Sequence, residues 1–220
     1  MATRKQIPVV AARMVEYQDE FGSLLNGSVQ WVITHPKEAV ALFVKTVNDH
    51  VKSATQAVVA ILGEIITTVT IPATTEKFVV KDKFKVDISK EAKVKIAYVG
   101  DDFKEWFLKK IEEPSPGSTV YGRQLNKDSV NGPIIAELGG QEKSETTLSE
   151  IYVVMEQRQA NGETGEFFSY VRDITNTLRA VYVYWYDGGW IVNAYSVGDP
   201  NEWYSGGLVF SRNSFVTQAA

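Results

Sequence analysis

Two alternating segments joined by Asp187-Gly188-Gly189 constrain the fold more than any other feature of this sequence. LRAVYVYWYD precedes the turn and GWIVNAYSV follows it, and large apolar or aromatic residues recur at every second position in both. A period of two residues is typical of a β-strand, and glycine supplies the positive φ that a tight type I′ turn requires. The sequence therefore predicts an antiparallel hairpin whose two faces can be read residue by residue.

The two faces of this hairpin differ in chemistry. One carries only core-forming residues, which are Val181, Val183, Trp185, Trp190, Val192 and Ala194. The other carries Tyr182, Tyr184 and Tyr186 beside Ile191, Asn193 and Tyr195. Tyrosine combines an apolar ring with a hydroxyl that needs a partner or water, which suits a wet contact surface. We name Tyr182, Tyr184, Tyr186, Asn193 and Tyr195 the tyrosine face and predict that it binds a partner. The alternative is that the long helix or the loop 114–132 covers it.

Alternation continues on both sides of the hairpin, in FFSYVRD and in GLVFSRN. We therefore expect a four-stranded antiparallel β-meander at the end of an α+β domain that spans residues 75–215. Within this domain, residues 83–88 and 93–98 alternate lysine with apolar residues and predict two half-buried strands. Helices are predicted at 101–113 and from a capping box at Thr147–Glu150.

Residues 1–70 are predicted to form a helical hairpin. The first helix places apolar residues at steps of three and four within 10–24, and the second begins at Pro36 and extends to about residue 66. Its apolar stripe is Val40, Val44, Val47, Val51, Ala54, Val58, Ile61 and Ile65. A stripe of this regularity is typical of a coiled-coil seam or of intramolecular core. Val47, Val51, Val58 and Ile61 are the candidate self-association residues.

The apolar stretch 54–73 has the length of a bilayer span. Glu64 lies within it, and a carboxylate in the middle of a membrane is costly, so we expect a buried helix and no membrane partner.

The C-terminal pattern W-x-D-G-G-W, A-Y-S-V, W-Y-x-G-G and V-F-S-R-N resembles one found in a family of uncharacterised bacterial hypothetical proteins. The resemblance covers most of residues 128–214. It implies no activity, cofactor or catalytic residue for this chain.

Composition excludes several kinds of chemistry. The chain contains no cysteine, which rules out thiolate metal sites and cysteine nucleophiles and fits a reducing compartment such as the cytoplasm. The two histidines, His35 and His50, match no metal-ligand spacing, and phosphate-binding glycine motifs are absent. We expect no metal, no cofactor and no catalytic residue. The net charge of −4 and the acidic residues among the lysines of 77–95 argue against nucleic acid as a partner.

We therefore expect a non-enzymatic interaction or structural protein. It would associate with itself through the N-terminal helices and bind a protein partner on the tyrosine face. Two alternatives remain: a small hydrolase or nuclease with an Arg/Glu/Tyr site on the C-terminal sheet, and a weak nucleic-acid binder that uses the lysines of 77–95.

Overall fold

The computed structural model describes residues 31, 34–56 and 60–214, and for residues 49–56 it describes the backbone alone. The chain divides between residues 58 and 59 into two units, whereas the sequence placed the boundary at residues 70–75. In the first unit, helix α1 spans Pro36–Gln56. The other helix of the predicted N-terminal hairpin, within residues 10–24, lies outside the described residues, so that hairpin stays a prediction.

The second unit combines helices with a large sheet, as the α+β class requires. Its strands are β1 (Leu62–Ile71), β2 (Phe78–Val79), β3 (Ile96–Val99), β4 (Ile111–Glu112), β5 (Ser118–Leu125), β6 (Glu145–Thr146), β7 (Phe167–Arg172), β8 (Leu178–Tyr186), β9 (Gly189–Ser196) and β10 (Leu208–Ser211). Its helices are α2 (Val80–Lys83), α3 (Asp101–Phe107), α4 (Asn131–Glu137), α5 (Gln141–Ser144) and α6 (Leu148–Ala160).

Eight of these strands form one mixed sheet. Seven follow the order β1-β5-β10-β7-β8-β9-β3, and β6 pairs with β7 on the edge that β10 also uses. β2 and β4 form a separate antiparallel pair. The sheet is mixed because β10 runs parallel to β7, β6 runs parallel to β7 and β3 runs parallel to β9, while the remaining neighbours are antiparallel.

The predicted meander is correct for three strands and wrong for the fourth. β7, β8 and β9 are consecutive antiparallel neighbours, but β10 lies between β5 and β7 instead of beside β9. All four residues of β10 are buried. A strand with apolar side chains on both faces is stable inside a sheet covered on both sides, where both of its edges also find hydrogen-bond partners.

The hairpin between β8 and β9 has the predicted geometry. Its loop is Asp187-Gly188, with φ of 47° and 83°, and Tyr186 pairs with Gly189 across it. Positive φ at both central residues is the requirement of a type I′ turn, which asparagine, aspartate and glycine meet at the lowest cost. Trp185 pairs with Trp190 and Tyr184 with Ile191, so the two faces alternate as the sequence indicates.

The sheet separates two apolar clusters, because successive side chains of a strand point to opposite faces. On the first face, α3 and α6 pack against the predicted core face of the hairpin, where Val181, Val183, Trp190 and Val192 are fully buried. On the second face, α4 packs against the part of the sheet formed by Phe168, Tyr170, Leu178 and Ala180. Tyr182 lies at the border of this second cluster.

The structure has strand β1 where the sequence predicted the end of the long second helix and a buried helix within 54–73. Both predictions are wrong for the residues of β1. α1 ends at Gln56, and residues 62–71 pair antiparallel with β5. The carboxylate of Glu137 accepts hydrogen bonds from the amides of Ile61 (2.9 Å) and Leu62 (2.8 Å), which fixes the start of the strand. β-Branched residues dominate 65–71 and fit a pleated strand better than a helix. Within the part of the chain that the structure describes, no helix combines the length and the apolar character needed to cross a bilayer.

Of the two predicted lysine-bearing strands, the first is wrong. The second is confirmed only in its last residues, because β3 begins at Ile96, after Lys93 and Lys95. Phe84 is buried after α2, whereas Val86 and Ile88 are exposed, and the segment keeps only a bridge between Asp87 and Ile96. The Asp87 carboxylate accepts a hydrogen bond from the amide of Ser89 at 3.1 Å, which favours a turn over a continued strand.

The predicted capping box is confirmed at the start of α6. The Thr147 side chain accepts a hydrogen bond from the Glu150 amide, and the Glu150 carboxylate accepts one from the Thr147 amide. Glu112 adds a second cap, since its two carboxylate oxygens accept from the amides of Leu148 and Ser149 at 2.9 Å each. These carboxylates satisfy helix amides that have no partner within the helix. Glu112 lies in β4, within the predicted helix 101–113, which ends as α3 at Phe107.

Candidate ligand-binding site

The residues of the tyrosine face share one side of the hairpin but differ in exposure. Tyr182, Tyr184 and Asn193 are half-buried, and Tyr195 is 37% exposed. Tyr186, at the hairpin tip, is 67% exposed. The ring of Tyr182 is central, with its centroid 5.3 Å from that of Tyr184 and 6.4 Å from that of Tyr195. Tyr182 therefore connects the rings of Tyr184 and Tyr195 into one aromatic group.

Trp203 covers part of the tyrosine face. Its ring centroid lies 5.4 Å from that of Tyr182 and 6.1 Å from that of Tyr195. Its plane stacks on the ring of Phe168 at 4.1 Å with an angle of 6° between the planes. Four rings from β7, β8, β9 and the segment 197–207 thus form one continuous aromatic surface.

Hydrogen bonds fix the position of Trp203. Its backbone pairs with Ser129 through two bonds of 2.9 and 3.0 Å. Its indole Nε1 donates to Oδ1 of Asn131 at 2.7 Å, and the Tyr170 hydroxyl donates to the same oxygen at 3.0 Å. Asn131 is 2% exposed, so these bonds are sheltered from water. Ser129 lies between β5 and α4, within the predicted loop 114–132, of which Ser118–Leu125 is in fact strand β5. The segment around Ser129 therefore positions the residue that covers the face.

A cavity of about 330 Å³ opens beside this aromatic surface. Six aromatic residues line it, namely Phe167, Phe168, Tyr182, Tyr195, Trp203 and Tyr204, and Tyr204 is 74% exposed. This volume lies at the lower end of the range of small-molecule sites, and an apolar lining with a few polar groups is their usual composition.

Three carboxylates complete the lining of the cavity. They belong to Glu166, Asp199 and Glu202, and the described residues of the lining include no lysine, arginine or histidine. The Tyr182 hydroxyl donates a short hydrogen bond to Oε2 of Glu166, which holds that carboxylate at the wall. Oδ1 of Asp199 accepts from the amide of Asn201 at 2.9 Å, which shapes the segment before Trp203. The cavity is therefore both aromatic and negatively charged.

Two of the three tyrosines that line the cavity, Tyr182 and Tyr195, have a raised pKa and remain protonated at neutral pH. Burial raises the pKa of Tyr182 far above its usual value, and the hydrogen bond to Glu166 and the charge of that carboxylate raise it further. Burial also raises the pKa of Tyr195, with smaller contributions from Tyr184 and Asp199. A protonated phenol is a hydrogen-bond donor and an electron-rich ring, and it is a poor nucleophile or base.

An Arg/Glu/Tyr constellation is not assembled around this cavity. Four arginines of the second unit pair with carboxylates elsewhere: Arg158 with Glu163 (3.4 Å), Arg172 with Glu145 (2.9 Å), Arg179 with Asp173 (2.8 Å) and Arg212 with Glu150 (2.8 Å). Among the described residues, no group of three histidine, aspartate or glutamate side chains is placed to hold a metal ion. The arrangement can recognise a ligand by stacking and by charge.

The candidate self-association residues fall in different environments. Val47 lies on α1 and is 41% exposed, and Val51 lies in the same helix, where the structure gives the backbone alone. Val58 lies outside the described residues. Ile61 is 8% exposed in the second apolar cluster of the sheet unit, where it is not available on a helical surface.

Sequence reasoning missed Trp203, Phe168, Asn131 and the three carboxylates of the cavity. Phe168 was assigned to a strand, but its face could not be related to the tyrosine face without the β7–β8 register, in which it pairs with Tyr182. A usable signal for Trp203 was the large ring in a polar segment, PNEWYSGG, directly after the hairpin. A tryptophan in such a segment is typical of a loop anchored on an apolar surface.

Comparisons with known proteins assign no role to this site. No protein-family model, no curated protein and no solved structure matches the chain.

Proposed function

We propose that this protein is a non-catalytic binding protein that recognises its ligand in the aromatic cavity at the border of the tyrosine face. The observation that carries the proposal is the cavity itself, which Trp203, Tyr182 and Tyr195 line. The ligand is a small molecule or a projecting side chain of a protein partner. It would contact the rings and the carboxylates together.

Binding is favoured over catalysis by the state of the polar groups. The Tyr182 hydroxyl is protonated and already donates to Glu166, so it provides no nucleophile at neutral pH. The Asn131 amide oxygen accepts two hydrogen bonds that hold the wall of the cavity together. Rigid aromatic side chains held in this way bury contact area with little loss of conformational entropy on binding.

The proposal predicts that small organic molecules bind at Trp203. A panel of neutral, anionic and cationic compounds of up to about fifteen heavy atoms would be titrated while the indole N–H signal of Trp203 is followed by NMR. A Trp203→Phe variant assigns that signal. We expect at least one chemical class to shift the signal saturably.

A matched pair of substitutions locates the binding. Tyr204→Ala removes an exposed ring from the cavity, whereas Tyr98→Ala removes an exposed ring from β3, outside the lining. Tyr204→Ala should weaken binding about threefold to tenfold, as loss of one aromatic contact does, and Tyr98→Ala should leave it unchanged. A panel in which no compound shifts the Trp203 signal would contradict the proposal.

We also propose that the chain associates with itself through α1. Three valines spaced by four and three residues, Val40, Val44 and Val47, are 62%, 49% and 41% exposed. An apolar stripe of this spacing, left in solvent, is the usual surface of helix pairing.

A further inference from the structure

We infer that the ligand of the cavity is an organic cation, namely an ammonium group with alkyl substituents on or next to the nitrogen. This inference rests on the proposed function and specifies its ligand. It is carried by the composition of the lining, in which six aromatic residues and three carboxylates occur, with no cationic side chain among the described residues.

The charge of the lining excludes an anion and favours a cation. Glu166, Asp199 and Glu202 give the cavity three negative charges. Glu166 and Glu202 are exposed and Asp199 is half-buried, so the attraction of a cation should weaken as the salt concentration rises. Among the described residues of the lining, a carboxylate or phosphate ligand would meet three like charges and no opposite charge, whereas a cation would be attracted by all three.

The rings favour a cation that carries apolar groups. The faces of tyrosine and tryptophan attract a cation within about 6 Å of the ring centroid, and tryptophan is the strongest of the three aromatic residues in this respect. The Tyr182 hydroxyl donates to a carboxylate, which increases the electron density of its ring. Alkyl groups on the nitrogen gain from contact with the same rings, because they leave water.

An inorganic metal ion does not fit this lining. Among the described residues no three carboxylate or imidazole groups are placed to hold a metal, and hard cations need six or more oxygen ligands at close range. A bare ion would also leave the aromatic surface without a contact. The ligand is therefore larger than an ion and softer than a hydrated metal.

An alkylammonium group can come from two sources. A free molecule such as choline presents a trimethylammonium group, and an N-methylated lysine side chain presents the same group on a polypeptide. The rim of the cavity contains Tyr204 and Glu202, both exposed, so that either source has access. The cavity recognises the shared alkylammonium group, and the titrations below separate the sources.

The decisive experiment compares choline with 3,3-dimethyl-1-butanol. The two molecules have nearly the same shape, and a carbon atom in the second replaces the positively charged nitrogen. Both would be titrated into the full chain while the Trp203 indole signal is followed. We expect choline to bind about tenfold more tightly, because only the cation interacts with the ring faces and the carboxylates. A trimethyllysine peptide and its unmethylated counterpart form a second arm that identifies the source.

Substitutions test the role of the carboxylates. Asp199→Asn together with Glu202→Gln keeps the side-chain size and removes two charges, and it should weaken choline binding by about tenfold. The matched control is Glu105→Gln, which removes an exposed charge from α3, outside the lining. The control should leave choline binding unchanged.

The outcomes separate this inference from the proposed function. If 3,3-dimethyl-1-butanol binds as tightly as choline or more tightly, the inference that the ligand is a cation is wrong, while the proposed binding site is retained. The same holds if only neutral sugars or anions of the wider panel shift the Trp203 signal. If no compound of any class shifts it, both proposals fail. Tighter binding of choline, reduced by the double substitution, supports both.

Discussion

Asp173 organises the turn between β7 and β8 through both oxygens of its carboxylate. Oδ1 accepts from the amide and hydroxyl of Thr175, both at 2.7 Å, and from the amide of Thr177 at 3.0 Å. Oδ2 accepts from Nε of Arg179 at 2.8 Å, and that guanidinium lies 3.9 Å from the centroid of Trp106. Burial alone would raise the pKa of this carboxyl, but the hydrogen bonds from Thr175, Arg179 and Thr177 outweigh it and lower the pKa to about 2.

We expect Asp173→Asn to lower the free energy of unfolding by roughly 2 kcal/mol at pH 7. This is the free energy that corresponds to lowering the pKa of Asp173 from 3.8 to about 2. Because the pKa is lower in the folded state, the ionised group contributes its stability above pH 3.8 and loses it as the pH falls through about 2. Urea unfolding at several pH values would show the gap between wild type and variant closing across that window. Asp82→Asn, on the exposed surface of α2, is the control. A gap that stays constant down to pH 2 would contradict the assignment.

At the level of single residues, the sequence predicts the face of the sheet on which a side chain lies better than it predicts whether that side chain is covered. The alternation in β8 and β9 identifies which side each tyrosine occupies, because the period of a strand is fixed by its backbone. Whether Tyr182 is covered depends on Trp203, whose position is set by Ser129 and Asn131 more than seventy residues earlier in the chain. Contacts over such separations leave no local pattern to read.

At the level of elements, α1 offers a test of self-association. Val44→Asp and Val47→Asp each place a charge on the exposed apolar stripe. If that stripe is an interface, the buried and unpaired carboxylate should cost about 3 kcal/mol, which weakens association roughly a hundredfold. Analytical ultracentrifugation would then show a shift from oligomer to monomer, with helical content by circular dichroism retained.

Thr46→Asp is the matched control, since Thr46 is exposed on the same helix but lies off the stripe. It should leave the mass in solution unchanged. A wild-type chain that is monomeric at its highest soluble concentration would refute self-association through α1.

The elements that the sequence predicted well are those with a local signature. The type I′ turn and the capping box each need particular residues at fixed positions, and both were found. The start of β1 was missed because isoleucine, valine and threonine at 61–71 satisfy a helical stripe as well as a strand. The segment becomes a strand because it pairs with β5 and because its first amides donate hydrogen bonds to Glu137. Both are contacts between residues far apart in the sequence. The place of β10 was missed for the same reason.

At the level of the whole molecule, burial of phenol groups links stability to alkaline pH. Burial is the main cause of a raised pKa at Tyr152, Tyr170, Tyr182 and Tyr195. For a group whose pKa is higher in the folded state, the protonated form stabilises the fold. That stability is complete below the ordinary tyrosine pKa of 10.0 and is lost as the pH rises above it.

We therefore predict that the folded chain ionises fewer tyrosines at pH 11 than the chain unfolded in urea. Absorbance at 295 nm, read immediately after a pH jump, should show a deficit of up to four tyrosinates, one for each of the four tyrosines with a raised pKa. The deficit should disappear as the protein unfolds, and Tyr182→Phe should reduce it by one. Identical titration of the folded and the unfolded chain would show that these phenols are open to water.

The insertion of β10 between β5 and β7 has a consequence for how the chain acquires its structure during synthesis on the ribosome. Until Leu208–Ser211 has left the exit tunnel, the strand that joins β1 and β5 to β7, β8 and β9 does not exist. A nascent chain that has emerged only as far as β9 holds two strand groups, and the facing edges of β5 and β7 lack their partner between them. Such edges pair readily with other chains. During the interval before β10 emerges, these edges are therefore open to pairing with other chains.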